Sequence, residues 1–209
     1  MKKIPVIVNY DFTQGYWNLN LEGNTNNNAW GVGGIVYAFD GGLFFNGSNS
    51  YVGIPNSLIV NSNYNFTISM KFRTWQKSGV LFGYQQYSIE HNGSGSYVPL
   101  LYVNSSGYPV AAVYNGNEQT LTGTTYVGDN TWHTAQMTVS GSINSSMVTL
   151  TIDGVSMGAI SVTGDLTQSG YGYTHYNQIG VGNNWENLSG YQYFNGYIQN
   201  FQLYGTLPD

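Results

Sequence analysis

The chain has no cysteine in its 209 residues. Disulfides, thiolate nucleophiles and cysteine-ligated zinc are therefore excluded together. This does not decide the compartment, because a chain of this length can bury a large core without covalent staples. Charge is nearly as scarce. Ionic side chains make up 7% of the sequence, ten acidic against five basic, for a formal net charge of −5. Lys2, Lys3, Lys71, Arg73 and Lys77 are the whole basic complement, too sparse to neutralise a run of phosphates, which argues against nucleic acid as a partner. Long hydrophobic runs are also missing. No stretch approaches the ~18 consecutive apolar residues of a spanning helix, so no membrane insertion is expected. Asn9, Tyr10 and Asp11 interrupt the short apolar segment behind Met1-Lys2-Lys3, which leaves it short of a secretory signal. Few carboxylates and three histidines link few protons to folding, so stability is expected to depend weakly on pH, as suits an extracellular setting.

In place of charge stand 28 glycines, 19 tyrosines and abundant Asn, Ser, Thr and Gln, a mixture that favours strands and turns over helices. Residues 128–155 show it most clearly. His133, Ala135, Met137 and Val139 alternate with Thr134, Gln136 and Thr138; after a loop, Val148, Leu150 and Ile152 alternate with Thr149 and Thr151. A period of two marks half-buried antiparallel strands. Asp153-Gly154 supplies the positive φ angles of a two-residue turn into a third strand over 155–162. Similar patterning predicts strands over 4–12, 35–39, 43–46, 51–54, 65–73, 79–84, 97–103, 108–114, 118–122, 177–181 and 194–204. In 65–73, Phe66, Ile68, Met70 and Phe72 point inward. In 194–204, Ile198 and Phe201 share a face only across a bulge near Gln199-Asn200. Residues 13–34, rich in Gly and Asn, read as a long surface loop of the kind that is functional or held by an ion; further loops are expected at 168–175 and 182–192. Many antiparallel strands with no helix, linker or internal repeat predict a single all-β domain over 1–209, a two-sheet antiparallel β-sandwich of jelly-roll type.

Several stretches, taken in order, resemble the concanavalin A-like, laminin G-like jelly-roll superfamily. They are Leu43-Phe44-Phe45-Asn46-Gly47 with Tyr51-Val52-Gly53-Ile54-Pro55, then Asn65-Phe66-Thr67-Ile68-Ser69, then Asp129-Asn130-Thr131-Trp132-His133 with Thr151-Ile152-Asp153-Gly154, and finally Phe194-Asn195-Gly196-Tyr197-Ile198 through Leu203-Tyr204. The resemblance covers nearly the whole chain. Its motifs are core and turn signatures, so it implies fold and not activity.

Glycoside hydrolases of that superfamily carry carboxylates clustered on one strand, whereas Glu22, Glu90, Glu118 and Glu186 stand far apart here and no aspartate lies one strand-step from any of them. A hydrolase with an unusual site is thus the third reading. Glu90-His91 reads as a solvated turn and His133 as a packed, hydrogen-bonded core histidine. The manganese/calcium stretch of legume-type lectins has no counterpart. Calcium, which needs six to eight oxygens, has its best candidate ligands in Asp11 and Asp209, near the two termini. The aromatic loops carry the strongest functional signal. Tyr84, Tyr87 and Tyr97 flank one loop; Tyr171, Tyr173, His175, Tyr176, Trp185, Tyr191 and Tyr193 crowd two others. Sugars present apolar C–H faces and hydroxyls, which flat aromatic side chains and nearby amides match at low entropic cost. The leading expectation is a non-catalytic, lectin-like module that binds a glycan or a cell-surface glycoprotein. The alternative is a structural or adhesive protein of a virion or surface layer, in which the tyrosines bury in a homo-oligomer or against other subunits. Asn46, Asn65, Asn92, Asn104, Asn144 and Asn187 open sequons that permit glycosylation.

Overall fold

The computed structural model describes residues 5–23, 25–38, 41–56, 58, 65–91, 95–142, 144–164, 166, 175–186 and 188–205. The expectations for Tyr171, Tyr173, Asp209, Asn92 and Asn187 lie outside them. Among the described residues fifteen strands run in chain order: β1 Val6–Asp11, β2 Trp30–Val32, β3 Val36–Ala38, β4 Gly42–Asn46, β5 Tyr51–Ile54, β6 Phe66–Thr74, β7 Gly79–Gln85, β8 Tyr97–Val103, β9 Pro109–Tyr114, β10 Glu118–Thr122, β11 Trp132–Ser142, β12 Ser145–Ile152, β13 Val155–Thr163, β14 Tyr176–Ile179 and β15 Asn195–Gly205. They form two antiparallel sheets. One has eight strands in the order β13-β12-β11-β6-β15-β4-β3, with β1 also pairing β15; the other has seven, β10-β9-β8-β7-β14-β5-β2.

The alternation in the sequence is what separates core from surface. On β6 and β11, Ile68, Met70, Phe72, Ala135, Met137 and Val139 are fully buried, while the polar residues between them, Ser69, Lys71, Gln136 and Thr138, face out. Phe82 of the seven-stranded sheet and Phe201 of the eight-stranded one meet at 4.8 Å between ring centroids, so the sheets share one apolar core. The β15 bulge lies where the pattern demanded it: the register shifts between Ile198 and Asn200, leaving Gln199 as the extra residue and both Ile198 and Phe201 buried. The bulge also divides the neighbours of β15, which pairs β4 before it and β1 after it.

The turn at Asp153-Gly154 has φ of +53° and +78°, as a two-residue hairpin requires. His133 is buried and ties this turn down. Its Nδ1 lies 2.8 Å from Asp153 Oδ2 and its Nε2 lies 3.1 Å from Asp129 Oδ1. Burial works against the Asp129 carboxylate, but hydrogen bonds from Thr131 and His133 outweigh it and hold that carboxyl below its ordinary range.

Residues 13–34 differ from the expected surface loop. They contain a 3-10 turn at Thr25–Asn27 and the strand β2. Asn20 is buried and its Oδ1 accepts from the Asn9 N–H at 3.0 Å, the Asn20 N–H reaches Asn28 Oδ1 at 3.0 Å, and the buried Tyr10 hydroxyl donates to the Asn27 carbonyl. Side-chain amides thus tie much of this segment to the backbone.

Candidate functional site

Over its central strands the seven-stranded sheet has no solvated face. Every residue of β7 and β5 is buried, so something covers both sides of those strands. At one end the cover is Trp185, packed on Val80, Tyr102, Val110 and Ala112. Glu186 fastens that loop by accepting from the Ser105 N–H at 2.9 Å and the Ser105 hydroxyl at 2.9 Å. Tyr102, flanked by Glu186 and Glu118, has its phenol pKa pushed up, chiefly by burial.

At the other end the face opens into a small pocket of about 110 Å³, lined by Trp30, Tyr51, Gly53, Glu90, Tyr176 and Gln178 together with Asn56, Ser88, Ile89 and Asn177. Strand register explains why these residues meet. Trp30 of β2 stands opposite Gly53 of β5, and Gly53 stands opposite Gln178 of β14, which in turn faces Gly83 of β7. The row is therefore an indole, a glycine, an amide and a second glycine. With no side chain at Gly53, the Trp30 ring lies against its backbone; an added Cβ would come within 2.3 Å of Trp30 Cε2. Trp30 is nonetheless 46% exposed, so the ring is held against the sheet on one side while much of it meets solvent.

Tyr51 lines the same pocket, and its hydroxyl donates to Glu90 Oε1. Burial raises the Tyr51 pKa, with the Glu90 hydrogen bond and charge adding to it. The Tyr51 hydroxyl and a backbone N–H hold the Glu90 carboxyl below its ordinary value against a smaller effect of burial, so Glu90 is a carboxylate that accepts and not an acid that donates. Tyr193 is half-buried and raised by burial, with Tyr191 and Glu90 contributing. The buried Gln85 amide donates to the Tyr191 hydroxyl at 3.0 Å and the Tyr87 carbonyl at 2.7 Å, and Tyr176 and Tyr97 stand opposite Gln85 on either side.

Tyr97, Tyr176, Tyr191 and Tyr193 thus gather around this end of the sheet. Tyr87 is exposed and stacks on His91 at 4.3 Å. Trp185 lies at the far end as packing, 6.3 Å from Tyr114. Tyr84 and His175 pack against each other instead of lining the pocket. Both are buried, with ring centroids 5.1 Å apart. β7 continues to Gln85 where the pattern ended it at Tyr84, so Tyr84 is a strand residue paired to Asn177, and His175 shares the inward parity of Asn177. The sequence did not single out Trp30, Gln178 or the pocket role of Tyr51 and Gly53; Glu90 is the exposed turn residue it was read as, and it also accepts from Tyr51. An aromatic residue isolated in a Gly/Asn-rich run was the available signal for Trp30.

Asp11 Oδ1 accepts from the Thr13 N–H at 2.9 Å and from the Thr13 hydroxyl, closing a local turn. Among the described residues no three His, Cys, Asp or Glu gather as a metal site would need.

Residues 46–207 match a laminin G family model of the concanavalin A-like lectin/glucanases superfamily. Among solved structures, domain 4 of AbnA, a GH43 extracellular arabinanase from Geobacillus stearothermophilus, in complex with arabinotriose, is similar at 17% identity and a TM-score of 0.62, over 99% of this chain and 96% of that one. The Ruminococcus gnavus IT-sialidase CBM40 bound to α2,3 sialyllactose is similar at 13% identity and TM-score 0.53, over 71% and 80%. Domains LG4-5 of the mouse laminin α1 chain are similar at 23% identity and TM-score 0.50, over 77% of this chain and 40% of that one. No curated protein matches the chain in sequence.

Proposed function

Because the chain belongs to the concanavalin A-like lectin/glucanases superfamily, whose fold leaves chemistry to what its faces and loops carry, we propose that it is a non-catalytic carbohydrate-binding module acting outside the cell. The pocket of Trp30, Tyr51 and Tyr176 is its glycan site. The observation that carries this reading is the half-exposed Trp30 indole, seated on a side-chain-free floor beside amides and hydroxyls. The sheet holds the ring on one side, and its exposed part is free to stack on the C–H face of a sugar, with Gln178, Asn56 and Ser88 in reach of hydroxyls. The setting is a small open pocket, suited to one or two sugar units of a longer chain on a polysaccharide or glycoprotein. Oligosaccharides held by the similar AbnA and CBM40 domains support the same ligand class.

The absence of catalysis rests on the acids. Glycoside hydrolysis needs two carboxyl groups about 5–10 Å apart, one protonated. Glu90 is the single acid among the described residues lining this pocket, and Tyr51 helps keep it ionised.

A glycan microarray on the full chain, followed by titration of Trp30→Ala and Tyr176→Ala against the strongest hit, tests the proposal. At least tenfold weaker binding with an unchanged melting temperature is expected. No glycan bound up to millimolar concentration, or full affinity in Trp30→Ala, refutes it. Release of reducing sugar from a polysaccharide panel refutes the non-catalytic part.

A further inference from the structure

The opposite surface of the sandwich, the outer face of the eight-stranded sheet, is mostly hydroxyls and amides, but one end of it is built differently. Four directly paired positions form a row across four strands: Trp132 on β11, Arg73 on β6, Tyr197 on β15 and Phe44 on β4. The Arg73 guanidinium carbon lies 5.2 Å from the Trp132 ring centroid and 4.7 Å from that of Tyr197. Lys71, one outward position along β6, places its ammonium 5.6 Å from the same Trp132 ring centroid. Just beyond β6, Trp75 is 43% exposed and stacks on Phe44 at 6.3 Å with ring planes 13° apart.

Two features set this belt apart from packing. First, it concentrates positive charge in an acidic protein. Lys71 and Arg73 are two of the five basic residues, and the ion pairs among the described residues both belong to His133, so no described carboxylate neutralises Arg73 or Lys71. Second, the Arg73 Nε is buried without a hydrogen-bond partner. A guanidinium fixed between two rings has already lost most of its rotamer freedom, which lowers the entropic cost of engaging an anion through its planar donors. Beside it, the Trp75–Phe44 stack presents an exposed indole of pyranose size.

We infer that this belt is a second binding surface, independent of the Trp30 pocket, for an anionic polysaccharide whose carboxylate or sulfate meets Arg73 while its ring stacks on Trp75. A sugar acid supplies both groups within one residue; an acidic peptide supplies the charge without the ring.

The test titrates the full chain with polygalacturonate, dextran sulfate and neutral dextran at low and physiological salt, with poly-glutamate as the non-saccharide control. Binding to one or both anionic polysaccharides, at least tenfold tighter than to dextran and weakening with salt, is expected. Which of the two binds tells carboxylate from sulfate. Arg73→Gln is expected to weaken binding at least tenfold and Trp75→Ala at least fivefold, while Trp30→Ala leaves it unchanged. Trp75→Ala reports on the surface even if the Arg73 variant fails to fold, because its side chain is largely outside the core. Equal binding of dextran, poly-glutamate bound as tightly as the polysaccharides, full affinity in Trp75→Ala, or loss of binding in Trp30→Ala would each overturn the inference.

Discussion

Adding one methyl group at Gly53 should disable the Trp30 pocket while leaving the fold almost untouched. An alanine Cβ would lie 2.3 Å from Trp30 Cε2 and 2.5 Å from both Cζ2 and Nε1, against about 3.5–4.0 Å for an ordinary contact. The indole must therefore lift by roughly 1–1.5 Å to restore normal separation. The backbone at Gly53 carries no positive φ, so alanine is tolerated there, and Gly→Ala within a strand recovers about 0.5–1 kcal/mol of backbone entropy. Overpacking costs about 1–3 kcal/mol where neighbours cannot yield, but Trp30 is 46% exposed and sits on the terminal strand of its sheet, so the low end applies. The two effects nearly cancel, and the melting temperature should stay within about 4 °C of the parent. Binding should respond far more. Displacing a central aromatic anchor costs about 2 kcal/mol or more, roughly thirtyfold in Kd. Titration with the best microarray ligand, read beside tryptophan emission and a thermal melt, measures all three quantities. If emission shifts but affinity holds within twofold, Trp30 is not the sugar platform and the reasoning fails.

Three further outcomes follow from the geometry. Phe201→Ala removes a fully buried ring that bridges the sheets to Phe82, and a loss of about 3–5 kcal/mol is expected by urea denaturation. Asp153→Ala deletes the hydrogen bonds to His133 and to the Thr134 N–H at a position with φ of +53°; about 2–3 kcal/mol should be lost, and Asp153→Asn, which tolerates that φ, should retain more than half of it. For pH, the Glu90 carboxyl is held below its ordinary 4.5, so the folded state disfavours its protonated form. The stabilisation is complete above 4.5 and drains away as pH falls through the lowered folded value; Asp129, also depressed, gives way in the same direction. Glycan affinity measured from pH 7 to 3 should decline only at the acid end, and Tyr51→Phe should move that decline toward pH 4.5; a flat profile in the parent protein would refute the role of the Tyr51–Glu90 contact.

The sandwich was legible because its strands are half-buried. Where only one face is buried, every second residue must be apolar, and β6, β11 and β12 show this without exception from Phe66 to Phe72, Ala135 to Val139 and Val148 to Ile152. Even the β15 bulge could be read, since Ile198 and Phe201 have opposite parity and both are too apolar to leave in water. The Gly/Asn-rich segment before β2 was harder. Its stability comes from amides such as Asn20 and Asn28 bonding to backbone groups, and such bonds leave no periodic trace.

The site was illegible for a related reason. On β7 and β5, and on β14 beyond Tyr176, both faces are buried, so alternation no longer tells core from surface, and a tyrosine belongs to either. Tyr84 and Tyr176 illustrate this: both were grouped as loop aromatics, yet one packs inward on His175 and the other lines the pocket. What decides between them is the register of three strands brought together from distant parts of the chain, which places Gly53, Gln178 and Gly83 in one row. The two glycines remove side chains from either flank of Gln178, and Trp30 folds into the space over the first of them. A pocket made by omission has no motif of its own. It follows that the residues most informative about binding in this chain are glycines, and that substituting them separates ligand recognition from stability more cleanly than deleting the aromatics they support.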